Sequence, residues 1–178
     1  MKITVLCTDF AHPAIGSIRV WLNEMNLNGH LAVLVYDKKD LPGGDILFLV
    51  SCSQIINSIE KSFYSSTLVL HASNLPQGRG WSPHIWAIIN GESKITVSLL
   101  EAEDSVDSGD IWLQQEFVLQ GHELLTEINN KLFKSELSLM SEAVNKFDQI
   151  GPLKQKGDPG VILKKRTPKD SRLDPNKT

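Results

Sequence analysis

Only two cysteines occur in the 178 residues, Cys7 and Cys52, and each lies at the end of an apolar run. No secretory signal follows Met1, so the chain is expected to be cytoplasmic, where structural disulfides are rare. Two isolated thiols also lack the paired Cys and His spacing of a zinc site. The sequence therefore predicts reduced, small buried thiols, with neither a disulfide nor a metal centre.

A large excess of charge of one sign is also missing, and so are long apolar runs. The 18 basic and 21 acidic residues give a formal net charge of −3, so no basic field attracts nucleic acid or an anionic membrane. No apolar run reaches the length of a membrane span. A chain of this size forms one domain that buries roughly 70% of its unfolded surface. We expect a small-molecule partner; the oligomeric state stays open.

The N-terminal third alternates between strand and helix patterns. Apolar runs predict strands over residues 3–6, 31–36 and 45–50, and apolar residues at helical spacing predict a helix that closes at Gly29. Such alternation is typical of an α/β protein with a mostly parallel sheet and helices on both faces. Ligand sites in these sheets gather beyond the carboxyl ends of the strands.

The loop after the first strand lacks the GxGxxG cradle that close backbone approach to a dinucleotide requires. Phe10, His12 and Pro13 occupy this position instead. Dinucleotide binding at this loop is therefore disfavoured. His12 is either a substrate contact or a partly exposed loop histidine without a chemical role.

The stretch from residue 71 to 111 carries the residue types of a catalytic site. The run 67–70 leads to His71 and a turn rich in Asn, Pro and Gly, which favour turn conformations. A short helix is predicted from Pro83, with Ser82 as its N-cap, to the Asn-Gly pair at 90–91. A strand over 96–100 and an acidic loop over 101–110 follow. A histidine near several carboxylates suits general acid–base chemistry, although a polar turn with solvated acids fits equally.

The remaining sequence predicts covering elements. A strand is expected over 111–118 and one long amphipathic helix over 122–147, giving a catalytic domain over 1–150 and a C-terminal extension over 151–178. The basic cluster at 164–166 is interpreted as solvated, like His84 and His122, whereas Trp86 and Trp112 are interpreted as structural.

The sequence HASNLPQGRGWSPHIW at 71–86, followed by DSGDI at 107–111, resembles the formyltransferases that use 10-formyltetrahydrofolate. This family includes glycinamide-ribonucleotide, methionyl-tRNA and nucleotide-sugar N-formyltransferases, and the likeness covers roughly residues 1–147. The resemblance implies a Rossmann-like formyltransferase fold, with 10-formyltetrahydrofolate as cosubstrate and no metal.

The resemblance also implies the catalytic residues. His71 would donate to the oxyanion of the tetrahedral intermediate and Asp107 would assist proton transfer; Asp110 is the competing carboxylate. The family carries an Asn two residues before the histidine, where this chain has Val69. Asn74 is the nearest amide and is expected to replace it, unless it only forms the turn.

Two segments are implied to bracket the pterin ring of the folate, the second mainly through main-chain atoms: Ser53, Gln54, Ile55, Ile56, Leu100, Glu101, Ala102, Glu103, Asp104 and Val106. Ile55 and Ile56 alternatively begin a helix over the core. The substrate side is expected to include Phe10, His12, Arg79, Gly80 and Trp81. The ring of Trp81 could stack on a sugar or a base.

Three missing features decide between acceptors. The first loop lacks the phosphate loop of glycinamide-ribonucleotide formyltransferases, we expect no tRNA-holding domain after residue 151, and no basic face is present. The predicted reaction is formyl transfer to the amine of a nucleotide-linked amino sugar. The alternatives are formylation of a carrier-bound amino acid and a non-catalytic folate- or nucleotide-binding domain.

Overall fold

The computed structural model describes residues 1–172 and places a six-stranded sheet at the centre, in the order β2-β1-β3-β4-β5-β6. The four strands β2, β1, β3 and β4 run parallel to one another. β5 pairs antiparallel with β4, and β6 pairs antiparallel with β5. The strands are β1 (Lys2–Leu6), β2 (Leu31–Val35), β3 (Gly44–Leu49), β4 (Tyr64–His71), β5 (Lys94–Glu101) and β6 (Ile111–Val118). The predicted α/β fold with a mostly parallel sheet is confirmed.

Helices cover both faces of the sheet. They are α1 (Ile15–Leu27), α2 (Ser58–Lys61), α3 (Pro83–Ile89) and α4 (Leu125–Asn145), with 3₁₀ turns at Lys38–Asp40 and Pro168–Ser171. The main apolar core lies under α1 and α4, where the indole ring of Trp21 meets Phe48 edge to face. A smaller apolar cluster on the other face contains Leu6, Leu47, Leu49, Ile56 and Tyr64.

A capping side chain, and not hydrophobic periodicity, determines where the long helix starts. The long helix α4 begins at Leu125 rather than 122, because the Glu127 carboxylate accepts the Leu124 N–H at 2.7 Å and caps the first turn. The predicted start of α3 at Pro83 is confirmed. Ser82, however, adopts the left-handed region (φ 48°) and its side chain caps no N–H, so the predicted hydroxyl cap is wrong.

Parallel strands bring the predicted loops to one edge. β1, β3 and β4 are neighbours with the same direction, so the segments that follow them leave from the same side of the sheet. The first two segments touch, because the Ser53 N–H donates to the Thr8 hydroxyl oxygen at 2.9 Å.

The C-terminal segment (residues 151–172) returns to this edge. Leu153 and Ile111 exchange two main-chain hydrogen bonds of 2.8 Å. Farther along, the Leu163 N–H donates to the Arg79 carbonyl at 2.7 Å, and the Trp81 N–H donates to the Leu163 carbonyl at 3.0 Å. The segment therefore lies against both loops that carry the predicted catalytic residues.

The basic cluster is solvated at Lys164 and Lys165, which are exposed, but Lys165 and Arg166 also lie over aromatic rings. Lys165 Nζ lies 4.6 Å from the ring centre of Trp81, and the Arg166 guanidinium lies 5.1 Å from that of Trp86. Trp86 is half-buried, and its indole N–H donates to the Lys164 carbonyl at 3.2 Å. It binds the C-terminal segment instead of filling the core, because α3 is too short and peripheral to point it inward.

Candidate active site

β4 ends at His71, whose imidazole is buried at the carboxyl edge of the sheet, 7% exposed. Nε2 lies 2.9 Å from the Gly78 carbonyl oxygen, and because a carbonyl only accepts, Nε2 carries the proton of this bond. On the other side of the ring, Nδ1 faces Oδ1 of Asp107 at 3.6 Å. The Asp107 side chain is 13% exposed. Both members of the pair are therefore largely buried.

Asp107 is held by the turn that follows β4. Its backbone lies in the left-handed region (φ 49°), which is uncommon for a residue with a side chain but accessible to Asp. Oδ2 accepts the Gly80 N–H at 2.8 Å. One carboxylate thus joins the imidazole at one oxygen to the turn at the other.

Asp110 occupies a different position on the same loop. Its carbonyl accepts the Glu101 N–H at 2.9 Å, and its carboxylate lies 3.9 Å from Lys154 Nζ. These contacts close the hairpin between β5 and β6. The structure therefore brings Asp107, and not Asp110, to His71.

His84 is half-buried on the first turn of α3, contrary to the expectation of a solvated ring. Burial, and to a smaller extent the nearby charge of His71, lowers its pKa from 6.5 to about 4. His84 is therefore neutral at neutral pH and adds no positive charge beside His71.

Val69 lies two residues before His71, so both side chains are on the same face of β4. It packs against the smaller apolar cluster and offers no hydrogen-bonding group. Asn74 does not take the place of an amide there. Its side chain is exposed and has no hydrogen-bond partner within residues 1–172, while its carbonyl accepts the Gln77 N–H at 3.2 Å. The predicted position of its amide beside the imidazole is wrong, because the turn directs it outward.

A cleft of about 340 Å³ adjoins the pair on the side of α3. Its lining includes Asn74, Trp86 and Leu163, but neither His71 nor Asp107. The turn that carries Gly78 forms part of its wall, so the cleft and the buried pair are neighbours separated by main chain.

The segment 51–57 is anchored by Lys38. The Lys38 N–H donates to Oε1 of Gln54 at 2.8 Å, and its Nζ donates to the Ile55 carbonyl at 3.1 Å. Ile56 is buried in the smaller apolar cluster, whereas Ile55 is 84% exposed. Both residues precede α2, so the alternative that they begin this helix is wrong.

The segment 100–106 divides into a buried base and an exposed tip. Leu100 is fully buried and pairs in the sheet with Val69 on one side and Ile111 on the other. Its side chain therefore offers no surface to a ligand, and its predicted main-chain contact with folate stays a prediction. The Ala102 N–H donates to the Thr67 carbonyl at 2.8 Å, so its main-chain donor is also occupied.

Two carboxylates of this segment contact other side chains. Glu101 accepts the indole N–H of Trp112 at 2.7 Å, and burial raises the pKa of its carboxyl group. Asp104 lies 3.2 Å from Nζ of Lys61, which also donates to the Ala102 carbonyl. Glu103 and Val106 are exposed at the tip.

The predicted substrate residues do not form one group. Phe10 is 78% exposed and Trp81 is 49% exposed. The His12 ring packs 5.6 Å from that of Phe133 on α4, its Nδ1 accepts the Ala14 N–H, and burial lowers its pKa. His12 therefore faces α4, whereas Gly80 binds Asp107.

Gln155 is the site residue that the sequence analysis missed. Its Nε2 donates to the carbonyl oxygens of Asp107 and Gly109, both at 2.8 Å. Its Oε1 accepts Nη2–H of Arg79 at 2.6 Å. No local pattern in the sequence indicated it, because its contacts join the C-terminal segment to two loops that are distant in the chain.

In the described part of the chain, residues 1–172, no group of three or more His, Cys, Asp or Glu side chains is placed to hold a metal ion. None of the helices in this part is long and apolar enough to cross a membrane.

Comparison with known proteins gives a family and a fold. A family model described as formyl transferase matches residues 20–144. The methionyl-tRNA formyltransferase of Rickettsia massiliae (strain Mtu5) is 28% identical over 130 residues, which cover 72% of this chain and 43% of the relative. The chain thus spans less than half the length of that curated relative.

Solved structures share the fold at low identity. The methionyl-tRNA formyltransferase from Clostridium thermocellum superposes with a TM-score of 0.82 at 22% identity, covering 99% of this chain and 77% of the other. The formyltransferase PseJ from Anoxybacillus kamchatkensis, in complex with UDP-4,6-dideoxy-4-formamido-L-AltNAc and tetrahydrofolate, gives 0.71 at 21% identity, covering 92% and 85%.

Proposed function

The chain belongs to the formyl transferase family, and from this premise we propose that it transfers a formyl group from 10-formyltetrahydrofolate to a primary amine. The observation that carries the proposal is the buried contact between His71 and Asp107 at the carboxyl end of β4. The pair combines a hydrogen-bond donor for a developing oxyanion with an acceptor for the proton that the amine loses.

The reaction forms one bond and breaks one. The amine nitrogen attacks the formyl carbon, and the carbonyl electron pair moves onto oxygen. Nδ1–H of the protonated His71 ring donates to this oxyanion, because Nε2–H is already bonded to the Gly78 carbonyl, while Asp107 takes the amine proton directly or through a water. When the oxyanion collapses, the bond between the formyl carbon and folate N10 breaks, and N10 receives the proton. The products are a formamide and tetrahydrofolate.

The spacing of the pair supports this division of roles. The 3.6 Å between Nδ1 and Oδ1 exceeds the usual length of a hydrogen bond, so a water or the acceptor nitrogen can bridge the two groups. Gly80 binds Oδ2 of Asp107, which leaves Oδ1 as the oxygen that faces the imidazole.

For the folate, we propose segments 51–57 and 101–106 as the two walls. Both contribute to the apolar cluster against which Val69 packs, on the face of β4 that carries His71. An apolar surface with a few fixed polar groups suits a flat heteroaromatic ring. Lys61, the last residue of the helix α2 that follows the first segment, binds the second, so the two walls are joined.

For the acceptor, we propose a carrier-bound amino acid. The support is that the curated relative named above is a methionyl-tRNA formyltransferase, which favours this acceptor over the nucleotide-linked amino sugar expected from the sequence. An amino acid carried by tRNA would make nucleic acid a partner, contrary to that expectation, whereas one carried by a protein would not.

A nucleotide-linked amino sugar is the second candidate. PseJ was solved with a UDP-linked formamido sugar, and this chain covers 85% of it, compared with 77% of the Clostridium thermocellum structure. Lys165 lies over one face of the half-exposed Trp81 ring, so stacking on a base or a sugar would use the other face.

One panel separates these acceptors. The protein is incubated with 10-formyltetrahydrofolate and, in turn, methionyl-tRNA, a methionyl thioester on a carrier protein, and UDP- and dTDP-linked amino sugars, and mass spectrometry detects formylated acceptors. We expect formylation of an aminoacyl carrier. Formylation of a sugar alone would overturn the first acceptor in favour of the second. Tight folate binding without any formylation would support a non-catalytic domain.

Hydrogen exchange tests the folate walls separately. A formyl-folate analogue is expected to protect main-chain amides in segments 51–57 and 101–106. Protection centred on residues 8–15 would place the ligand in the first loop and contradict the assignment.

A further inference from the structure

We propose that Gln155 positions Asp107 for the reaction, so that the C-terminal segment completes the site. This inference rests on the proposed function, because it assigns a role within the same site. Gln155 acts through Asp107 and is therefore a positioning residue.

The amide of Gln155 clamps the main chain of the loop that carries Asp107. Both N–H groups of an amide nitrogen can donate, and here Nε2 reaches two carbonyl oxygens, those of Asp107 and Gly109, at 2.8 Å each. The two carbonyls lie two residues apart on one loop. Holding both fixes the direction in which the Asp107 side chain leaves the backbone.

The conformation of Asp107 explains why such a clamp matters. Its φ of 49° lies in the left-handed region, which a residue with a side chain keeps only where the surroundings enforce it. Gly109 reinforces the constraint, because a Cβ added there would collide with the Glu101 carbonyl. Without the two bonds from Gln155, we expect the loop to relax away from His71.

The other end of the amide reaches the histidine side of the site. Oε1 accepts Nη2–H of Arg79 at 2.6 Å, and the next residue, Gly80, donates its N–H to Oδ2 of Asp107. One side chain therefore connects the turn after β4 with the loop after β5. The variant Gln155→Glu would keep the acceptor for Arg79 and lose both donors, which isolates the clamp.

The test compares Gln155→Glu and Gln155→Met with Gln149→Met, the same change at an exposed glutamine that bonds within residues 1–172 through its main chain alone. Turnover and KM for 10-formyltetrahydrofolate are measured with the acceptor that the panel identifies. We expect kcat to fall by roughly tenfold to a hundredfold in both Gln155 variants, through misplacement of Asp107. KM for the folate should stay close to the wild-type value in both Gln155 variants. The control variant should match the wild type in both kcat and KM.

A second readout does not depend on turnover. Exchange of the Gly80 amide reports its bond to Asp107, and we expect it to be about tenfold faster in both Gln155 variants. The Val50 amide, bonded to the Leu6 carbonyl in the sheet, is the internal reference. If Gln155→Met fails to fold, the nearly isosteric Gln155→Glu decides.

The outcomes keep the two proposals apart. An inactive wild-type protein with faster Gly80 exchange in the variants would reject the proposed function and keep the clamp. Wild-type Gly80 exchange and wild-type kcat in Gln155→Glu would overturn the positioning role. The same holds if only Gln155→Met is impaired, because the side chain would then matter for Arg79 and not for Asp107.

Discussion

The crevice at the carboxyl edge of the sheet has two sides, the proposed folate walls and the pair of His71 and Asp107, and different contacts hold them. On the proposed folate side, Lys38 fixes segment 51–57 through Gln54 and Ile55, and its Nζ also lies 3.0 Å from Glu60. All of these residues lie in segments that connect the parallel strands. On the reacting side, Asp107 is fixed by Gly80 and by Gln155 from the C-terminal segment.

The difference shows which part of the site can form without the C-terminal segment. The first folate wall, segment 51–57, needs only the parallel strands, with one lysine as a tie, whereas the second wall lies on the same β5–β6 loop as Asp107. The reacting pair needs the antiparallel hairpin and a segment that returns after the last long helix. We therefore expect changes on the reacting side to alter turnover and changes on the folate side to alter affinity.

The largest effect should come from the pair itself. His71→Ala and Asp107→Asn are each expected to lower kcat by on the order of a hundredfold or more, through loss of oxyanion and proton-transfer help. Dissociation constants for a folate analogue should change little. Because both side chains are buried and bonded, we also expect a stability loss of about 1–3 kcal/mol, measured by urea unfolding.

The rates must therefore be expressed per folded molecule. A variant that turns over at the wild-type rate would remove that residue from the mechanism. A variant that loses folate affinity as strongly as kcat would erase the contrast between the two sides.

Acidification should affect the reacting side through His84. Its pKa is about 4 in the fold and 6.5 in the unfolded chain, so the unfolded chain takes up the proton first as pH falls below 6.5. Stability should decline between pH 6.5 and 4 and then level off, by at most about 3 kcal/mol. Urea unfolding at pH 7.5 and 5 measures this loss, and His84→Gln should reduce it. An equal loss in the variant would contradict the assignment.

Lys38→Met tests the folate side. The change removes the contact of Nζ with the Ile55 carbonyl and with Glu60 but keeps the Lys38 N–H that binds Gln54. We expect affinity for a folate analogue to weaken by about tenfold, the worth of one charge-assisted hydrogen bond, while kcat at saturating folate is unchanged. Lys39→Met is the control, because Lys39 is exposed and its side chain pairs only with Asp37 within residues 1–172. A fall in kcat without weaker binding would mean that the two sides are not separable.

Local sequence patterns were sufficient for the fold because each element buries an apolar face. The strand Ile111–Val118 and the helix from Pro83 follow from alternation and from proline chemistry. The start of α4 did not follow, since a carboxylate three residues inside the helix sets it.

The site was less accessible from the sequence, for a physical reason. The resemblance indicated His71 and Asp107, which the structure brings together. Gln155, the burial of Leu100 and the half-burial of His84 depend on contacts between elements distant in the chain. No local spacing encodes such contacts, and a segment rich in Pro, Gly and Lys is typical of a solvated tail.

The smallest effect is expected at Asn74. If its amide replaced the one absent at Val69, Asn74→Ala would cost roughly a hundredfold in kcat, the usual order for one oxyanion donor. The side chain instead points outward, unbonded within residues 1–172, on a turn that its main chain maintains. We therefore expect kcat to fall by less than about threefold and stability to change by no more than about 0.5 kcal/mol, as for surface substitutions. His71→Ala, measured in parallel, calibrates a real loss of a donor. A hundredfold loss with unchanged folding and folate affinity would mean that the turn swings Asn74 into the crevice when substrate binds.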